Sequence, residues 1–379
     1  MTSRLYPTTR RLFKQVFRGL KALGLGAVLS PLSFGLLAMY IAGLLLLDRR
    51  QNGTRIADWL PVRCHDAINR VLRTHNISSR SLMKTVTEWA KRLGKGYLAV
   101  DDVVVEKPFS KLCGWVGWTY STTQKRKMYG FHVVVLLWCC GCWRIPVAFR
   151  LWRPQAKCRT ENYRKKSQLA WEMIVEVVSQ ELSIDYIAMD TLYSAGWLTK
   201  KINRLGLKWV GVLHPNTTIY YHNKRWSVKT LSAWLKLKWR KRLGLRARSI
   251  RAYLPKYGHL RLVVTRNRHG NYEVLATHDL DTDLTTIVLR KRSRWSIETL
   301  FRDAKQFSGL AACQCRVDRA IVLHVAFVLL AFILLQRFRR FPKETLGAVK
   351  ERLQRQVFTS GFHPPAPLKG KVALSQLSA

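Results

Sequence analysis

Three acidic residues in this sequence stand where chemistry is expected. Asp102 follows the apolar half of the β-branched run Tyr97-Leu-Ala-Val-Asp-Asp-Val-Val-Val105, and Asp190 closes the run Tyr186-Ile-Ala-Met. Active sites of open α/β sheets gather beyond the carboxyl ends of strands, so two such aspartates can meet although 88 residues apart. Glu298 lies 108 residues further on, in a stretch of helical periodicity. A lone acid is more often a cap or a surface charge. Three that converge offer the hard oxygen ligands taken by Mg²⁺. Two such ions roughly 3.5–4 Å apart would activate an attacking oxygen and stabilise a leaving one. Asp101 competes with Asp102 for the first position, because alternation along a strand sends the two to opposite faces.

The surroundings of Glu298 extend this reading. Arg294 and Glu298 stand one helical turn apart and Lys305 two turns beyond, so all three project from one face. A carboxylate flanked by two cations can meet a metal while its neighbours hold phosphates. The other reading of the same spacing is a salt-bridged surface helix. The charge of the whole chain favours the first. Sixty-six Lys and Arg against 22 Asp and Glu give a formal net charge of +44, which calls for a polyanionic partner. Nucleic acid fits best, since each neutralised phosphate releases a counterion. The basic residues run along the whole length, not in one juxtamembrane cluster, so a membrane is not the expected partner. The densest basic stretch, Lys236-Leu-Lys238-Trp-Arg240-Lys241-Arg242, carries Trp234 and Trp239 among its cations and is expected to contact phosphate rather than only solvent.

Other chemistries have less support. The eight cysteines contain no C-x2-C pair, so they read as reduced thiols in a cytoplasmic protein, not as a zinc site or a disulfide framework. Hydrophobic residues at 48% exclude a disordered chain. Leu25–Leu47 is uncharged and almost wholly apolar, which on length alone would span a membrane. Pro31 and three glycines interrupt it, and a buried helical hairpin is the preferred reading.

The elements that would position these residues follow from periodicity. Residues 1–95 read as helical and basic. Within them Thr54–Leu60 and His65–Arg73, joined through Pro61, have the rhythm of a helix-turn-helix or of a plain bundle. From residue 96 strands take over: Tyr97–Val105, then Phe131–Cys140 and Trp143–Trp152 as a hairpin about Gly141-Cys142. A helix over Arg164–Leu182, a strand over Asp185–Asp190, a helix over Ala195–Leu205 and a strand over Leu207–Leu213 complete an α/β order. Such an order belongs to a ribonuclease-H-like core spanning 96–213. Residues 214–290 read as a β-rich insertion, 291–341 as the rest of the core with Glu298, and 342–379 as a basic, Pro-containing tail.

The motif words then become specific. Arg294-Trp-Ser-Ile-Glu298-Thr-Leu-Phe-Arg-Asp-Ala-Lys305 resembles the glutamate signature of bacterial insertion-sequence DDE transposases, in the subgroup patterned Tyr-x2-Arg-x3-Glu-x6-Lys. Asp101-Asp102-Val-Val-Val-Glu-Lys-Pro108 is similar to the family's first-aspartate strand, and Met189-Asp190-Thr-Leu-Tyr193 to its second. The resemblance covers roughly residues 45–335. It implies a ribonuclease-H-like core with a β insertion, and Asp102, Asp190 and Glu298 as catalytic metal ligands for two Mg²⁺ or Mn²⁺ ions. The partners it implies are the terminal inverted repeats and target DNA, held by a homodimer, which places the chain on the nucleoid. The family's pattern puts the first ligand at the second aspartate of the pair. Two positions depart from it: Lys291 stands where the signature has tyrosine, and Val103 where threonine is common. Lys291 keeps a phosphate donor without the ring. Both departures leave room for two rivals, a nuclease that does not join ends and a DNA-binding descendant without activity.

Overall fold

The computed structural model describes residues 7–48, 53–59, 68, 70, 72–73, 77–110, 113–121 and 125–358. Helices come first, among them, in the described residues, α1 (Pro7–Ala22), α2 (Pro31–Leu46), α3 (Gly53–Trp59) and α4 (Ser79–Ala90). Next are β1 (Gly96–Glu106), β2 (Gly117–Ser121), β3 (Arg126–Cys140) and β4 (Trp143–Trp152). They lead into α5 (Lys166–Val178), β5 (Ile184–Ala188), α6 (Gly196–Arg204) and β6 (Lys208–Val212). The segment after it holds β7 (Thr218–Tyr221), β8 (Lys224–Ser227), α7 (Val228–Trp234), β9 (Lys238–Arg240), β10 (Leu245–Leu254), β11 (Gly258–Arg266) and β12 (Tyr272–Thr277). Four helices close the described chain: α8 (Leu284–Ser293), α9 (Trp295–Phe307), α10 (Asp318–Arg337) and α11 (Leu346–Phe358).

The β-branched run that makes β1 lies between an antiparallel partner, β3, and a parallel one, β5, and β6 extends the parallel side. Strand β4 turns back on the other edge of β3. The turn needs a positive φ of 54°, which Gly141 adopts without a Cβ penalty. The order β4-β3-β1-β5-β6 joins three antiparallel strands to two parallel ones. Burial follows direction. Residues Phe131–Cys139 of β3 are buried without alternation because helices cover both faces of the sheet there. Helix α9 packs on β1, and α5 packs on β3 and β4.

The segment 214–290 is rich in strands, as expected, carrying β7 to β12 together with α7. It is not a separate sheet: β12 pairs with β6, so the β-rich part continues the sheet edge. In β10 the basic residues Arg246, Arg248 and Arg251 are exposed, while Leu245 and Ala247 pack into one apolar cluster and Ile250, Ala252 and Leu254 into another. The buried face changes at Ser249, and each half of the strand keeps its arginines on the side away from its core.

The helical ends of the chain differ from the expected layout. Helices α1 and α2 share one apolar core with α10 and α11. Leu12, Val16 and Leu20 of α1, Leu37, Ile41 and Leu44 of α2, and Phe327 and Leu334 of α10 are all buried in it. The apolar stretch Leu25–Leu47 is therefore one buried helix, α2, preceded by a short 3₁₀ turn. Helix α10 alone among the described residues is long and apolar enough to cross a membrane by length and composition, and most of it is buried inside the fold. The tail expected from residue 342 holds α11 instead, because Leu346, Val349, Leu353 and Val357 repeat at helical spacing and fill the core. Lys350 is buried there too, donating to Leu47 O and Phe307 O. Of the helix-turn-helix segment, α3 is described, while residues 60–67 and most of 69–76 lie outside the described residues. Residues 359–379 lie outside them as well.

Candidate functional site

Strand β1 brings two adjacent carboxylates to the middle of the sheet and sends them to opposite sides. The parallel register of β1 with β5 pairs Leu98 with Ile187 and Ala99 with Ala188. Two residues further on, Asp101 on β1 and Asp190 beyond the end of β5 press like charges together. Burial raises the Asp101 carboxyl to about 7, and the charge of Asp190 adds to the effect. Arg294 opposes it, donating from Nη1 to Asp101 Oδ2 at 2.6 Å. Its Nη2 bonds Glu298, one turn along α9. Asp190 is also raised by burial, although the backbone N–H of Tyr193 donates to its Oδ1 and holds it back.

Asp102 looks the other way. Its Oδ2 accepts from Lys166 Nζ at 2.7 Å and lies 2.8 Å from His132 Nδ1, while its Oδ1 accepts from the Tyr193 hydroxyl at 3.1 Å. Burial alone would raise this carboxyl, but the His132 bond and the Lys166 charge bring it below the ordinary value. His132 is fixed in turn by Thr119 Oγ1, 2.6 Å from its Nε2. Tyr193 spans the two groups, with its backbone on Asp190 and its ring hydroxyl on Asp102.

A cleft of about 750 Å³ opens over these groups. Asp101, Asp102, Asp190 and Glu298 all line it, together with Arg294 and Lys305. Lys305 is exposed there, and partial burial of its ammonium lowers it from its ordinary value. Trp295 and Tyr120 are exposed at its rim.

The expected site residues divide into three groups. Asp102, Asp190, Glu298, Arg294 and Lys305 come together in this cleft. Lys291 does not line it and instead pairs with Glu273 of β12. Lys236, Lys238, Arg240, Lys241 and Arg242 are exposed on the sheet extension around β9, outside the cleft and without ion pairs among the described residues. Sequence reasoning missed His132, Lys166 and the Tyr193 hydroxyl. Only Tyr193 carried a sequence signal, by following Asp190 within the same short motif. Among the described residues no three His, Cys, Asp or Glu side chains are grouped tightly enough to hold one metal ion. The described cysteines are free thiols.

Fold and site together define a mixed α/β protein with carboxylates and cations gathered at the carboxyl ends of its parallel strands. Residues 34–233 match the family described as DDE superfamily endonuclease, and the chain belongs to that family. Among solved structures it is similar to a piggyBac transposase in a synaptic complex with hairpin DNA, at 12% identity and a TM-score of 0.47. The match covers 92% of this chain and 78% of that one. The comparison with curated proteins returned no match.

Proposed function

We propose that the chain is a DDE transposase that cleaves DNA at the ends of a mobile element and joins the freed 3′-hydroxyl to target DNA. The observation that carries this reading is the meeting of Asp101, Asp190 and Glu298 about Arg294 in one cleft. Their hard carboxylate oxygens would suit a divalent cation; burial raises Asp101 and Asp190, and Arg294 bonds both Asp101 and Glu298. When bound, Mg²⁺ or Mn²⁺ would supply Lewis acidity at the scissile phosphate and at the attacking oxygen. Of the two adjacent aspartates, geometry favours Asp101 as the ligand beside Asp190 and Glu298. Asp102 then acts as a positioning residue, tying β1 to His132, Lys166 and Tyr193.

The protein's own part is alignment. Lys305, Lys166 and Arg294 line the cleft as cations that would hold non-bridging phosphate oxygens. Held this way, a phosphodiester and a water or a 3′-hydroxyl react by in-line displacement, with no covalent link to the protein. The exposed cations around β9 would bind duplex outside the cleft, and two copies would hold two ends on nucleoid DNA.

The test uses the full chain, Mg²⁺ and duplexes carrying the inverted repeats that flank its own reading frame. Nicking at the repeat boundary is expected, and a pre-cut end should join to a second duplex. Cleavage with no joined product would reduce the reading to a nuclease. Binding without either reaction would reduce it to a DNA-binding protein.

A further inference from the structure

A second groove lies away from the cleft and is lined by cations without acids. It measures about 1050 Å³. Arg10, Arg11, Lys14 and Arg18 of α1 form one wall, Arg337 at the end of α10 the other, and Trp143 at the start of β4 contributes an aromatic surface. No Asp or Glu is among its lining residues. All five cations are exposed, and none makes an ion pair among the described residues. A basic face is often only solvated. Three features set this one apart.

The first is its shape, a wide open groove between α1 and the end of α10 and not a single convex helix surface. The second is rigidity. Leu12, Val16 and Leu20 anchor α1 in the core, and Gly19 lets it approach α10 so closely that a Cβ there would stand 2.8 Å from Leu334 Cδ2. Cations on a docked helix lose little freedom when an anion arrives. The third is spacing. Residues 10 to 18 rise ~12 Å along the helix at ~1.5 Å each, which matches three or four phosphates of one strand at ~3.4 Å each.

The groove is also a separate site. Along β3, Asp101 pairs with Val135 and Trp143 with Cys140, which places Trp143 about 17 Å from the Asp101 level at ~3.4 Å per residue.

We propose that this groove is a second nucleic-acid contact, gripping the phosphate backbone of duplex DNA remote from the cleft. The choice of DNA over another polyanion rests on the functional reading above. The contact is to phosphates and sets position, not sequence.

The experiment measures binding of the full chain to a fluorescent 30-base-pair duplex of arbitrary sequence by anisotropy, across a range of salt. The variant is the triple Arg11→Ser, Lys14→Ser, Arg18→Ser, which leaves the buried side of α1 intact. Its control is Lys84→Ser, Arg92→Ser, Lys229→Ser, an equal loss of charge at exposed positions outside the groove. The groove triple should weaken binding at least tenfold and shrink the slope of log K against log[salt] by about 2 to 3, at ~0.9 per lost phosphate contact. The control should change the slope by less than one. Equal effects from the two triples would overturn the proposal and leave net charge as the cause. Lost binding to anionic lipid vesicles with unchanged DNA binding would overturn it in favour of a membrane surface. Wild-type chain that shows the groove effect but cleaves no repeat in Mg²⁺ would sink the functional reading while the groove stands.

Discussion

The Arg294 guanidinium lies 2.6 Å from the Asp101 carboxylate, joining the middle of β1 to the start of α9 across 193 residues. Through its other nitrogen it holds Glu298. One cation thus bonds two carboxylates beside a third, Asp190, whose proton affinity the charge of Asp102 also raises. Asp101→Asn and Glu298→Gln should each lower Mg²⁺-dependent cleavage by roughly a thousandfold, the several kcal/mol that a metal site supplies. Asp102→Asn should cost about 10- to 100-fold, as expected of a group that orients others. A single-turnover assay decides. If Asp102→Asn is dead and Asp101→Asn retains most activity, the two roles are reversed.

The same pair has a signature in the pH dependence of stability. Asp101 titrates at about 7 in the metal-free fold, whereas an unfolded aspartate titrates near ~3.9. Between these values the native state holds the extra proton, so this group's contribution is fully present below about pH 4 and is lost as pH rises through 7. Asp102 works in the opposite sense, since its lowered carboxyl favours the fold at higher pH. The difference between variants isolates Asp101. The Tm of Asp101→Asn minus that of wild type should grow from pH 4 to pH 7 in chelator, and adding Mg²⁺ should shrink it. A gap independent of pH would show that Asp101 is not held protonated by its neighbours.

Much of this arrangement was written in local patterns. The β-branched run at 97–105, the Gly141 hairpin and the alternating helices and strands up to residue 212 fall within a few residues of their expected bounds. Each is set by periodicity that a short window contains. The α9 face was legible for the same reason, because Arg294 and Glu298 are one turn apart. What escaped depends on contacts distant in sequence. His132, Lys166 and Tyr193 reach Asp102 from 30, 64 and 91 residues away, and nothing in the neighbourhoods of His132 and Lys166 marks them. Helix α11 was hidden by its basic residues, of which Lys350 is buried only because Leu47 and Phe307 offer it carbonyls. The register of β1 on β5, which brings Asp101 near Asp190, is likewise a relation no motif encodes.

Asp102 and Lys166 should behave as one unit. The ammonium is 2.7 Å from the carboxylate and lies over the Trp152 ring, which fixes its direction into the cleft. Lys166→Met leaves Asp102 with His132 and Tyr193, raises its proton affinity, and should slow cleavage by about 10- to 100-fold. The double variant Asp102→Asn, Lys166→Met should be no slower than the worse single, because residues in one network are not additive. Multiplicative losses would show that the two act independently.

Gln336 tests how the helical layer is fastened to the sheet. Its side chain, buried on α10, accepts from the Arg144 backbone N–H at 2.8 Å and donates to the Arg144 carbonyl at 2.7 Å. It therefore continues the hydrogen-bonding edge of β4 as a neighbouring strand would, from a helix 192 residues away. An apolar side chain of similar length cannot do this. Gln336→Met keeps the volume but strips a donor and an acceptor of their partners, at about 1–3 kcal/mol for each one that water cannot reach. Urea denaturation should show a loss of at least ~2 kcal/mol, with the slope against denaturant unchanged. The loss should appear equally in Gln336→Leu, since hydrogen bonding and not shape is what both remove. A change within about 0.5 kcal/mol, the ordinary scatter of neutral surface substitutions, would mean that β4 holds its edge without this amide.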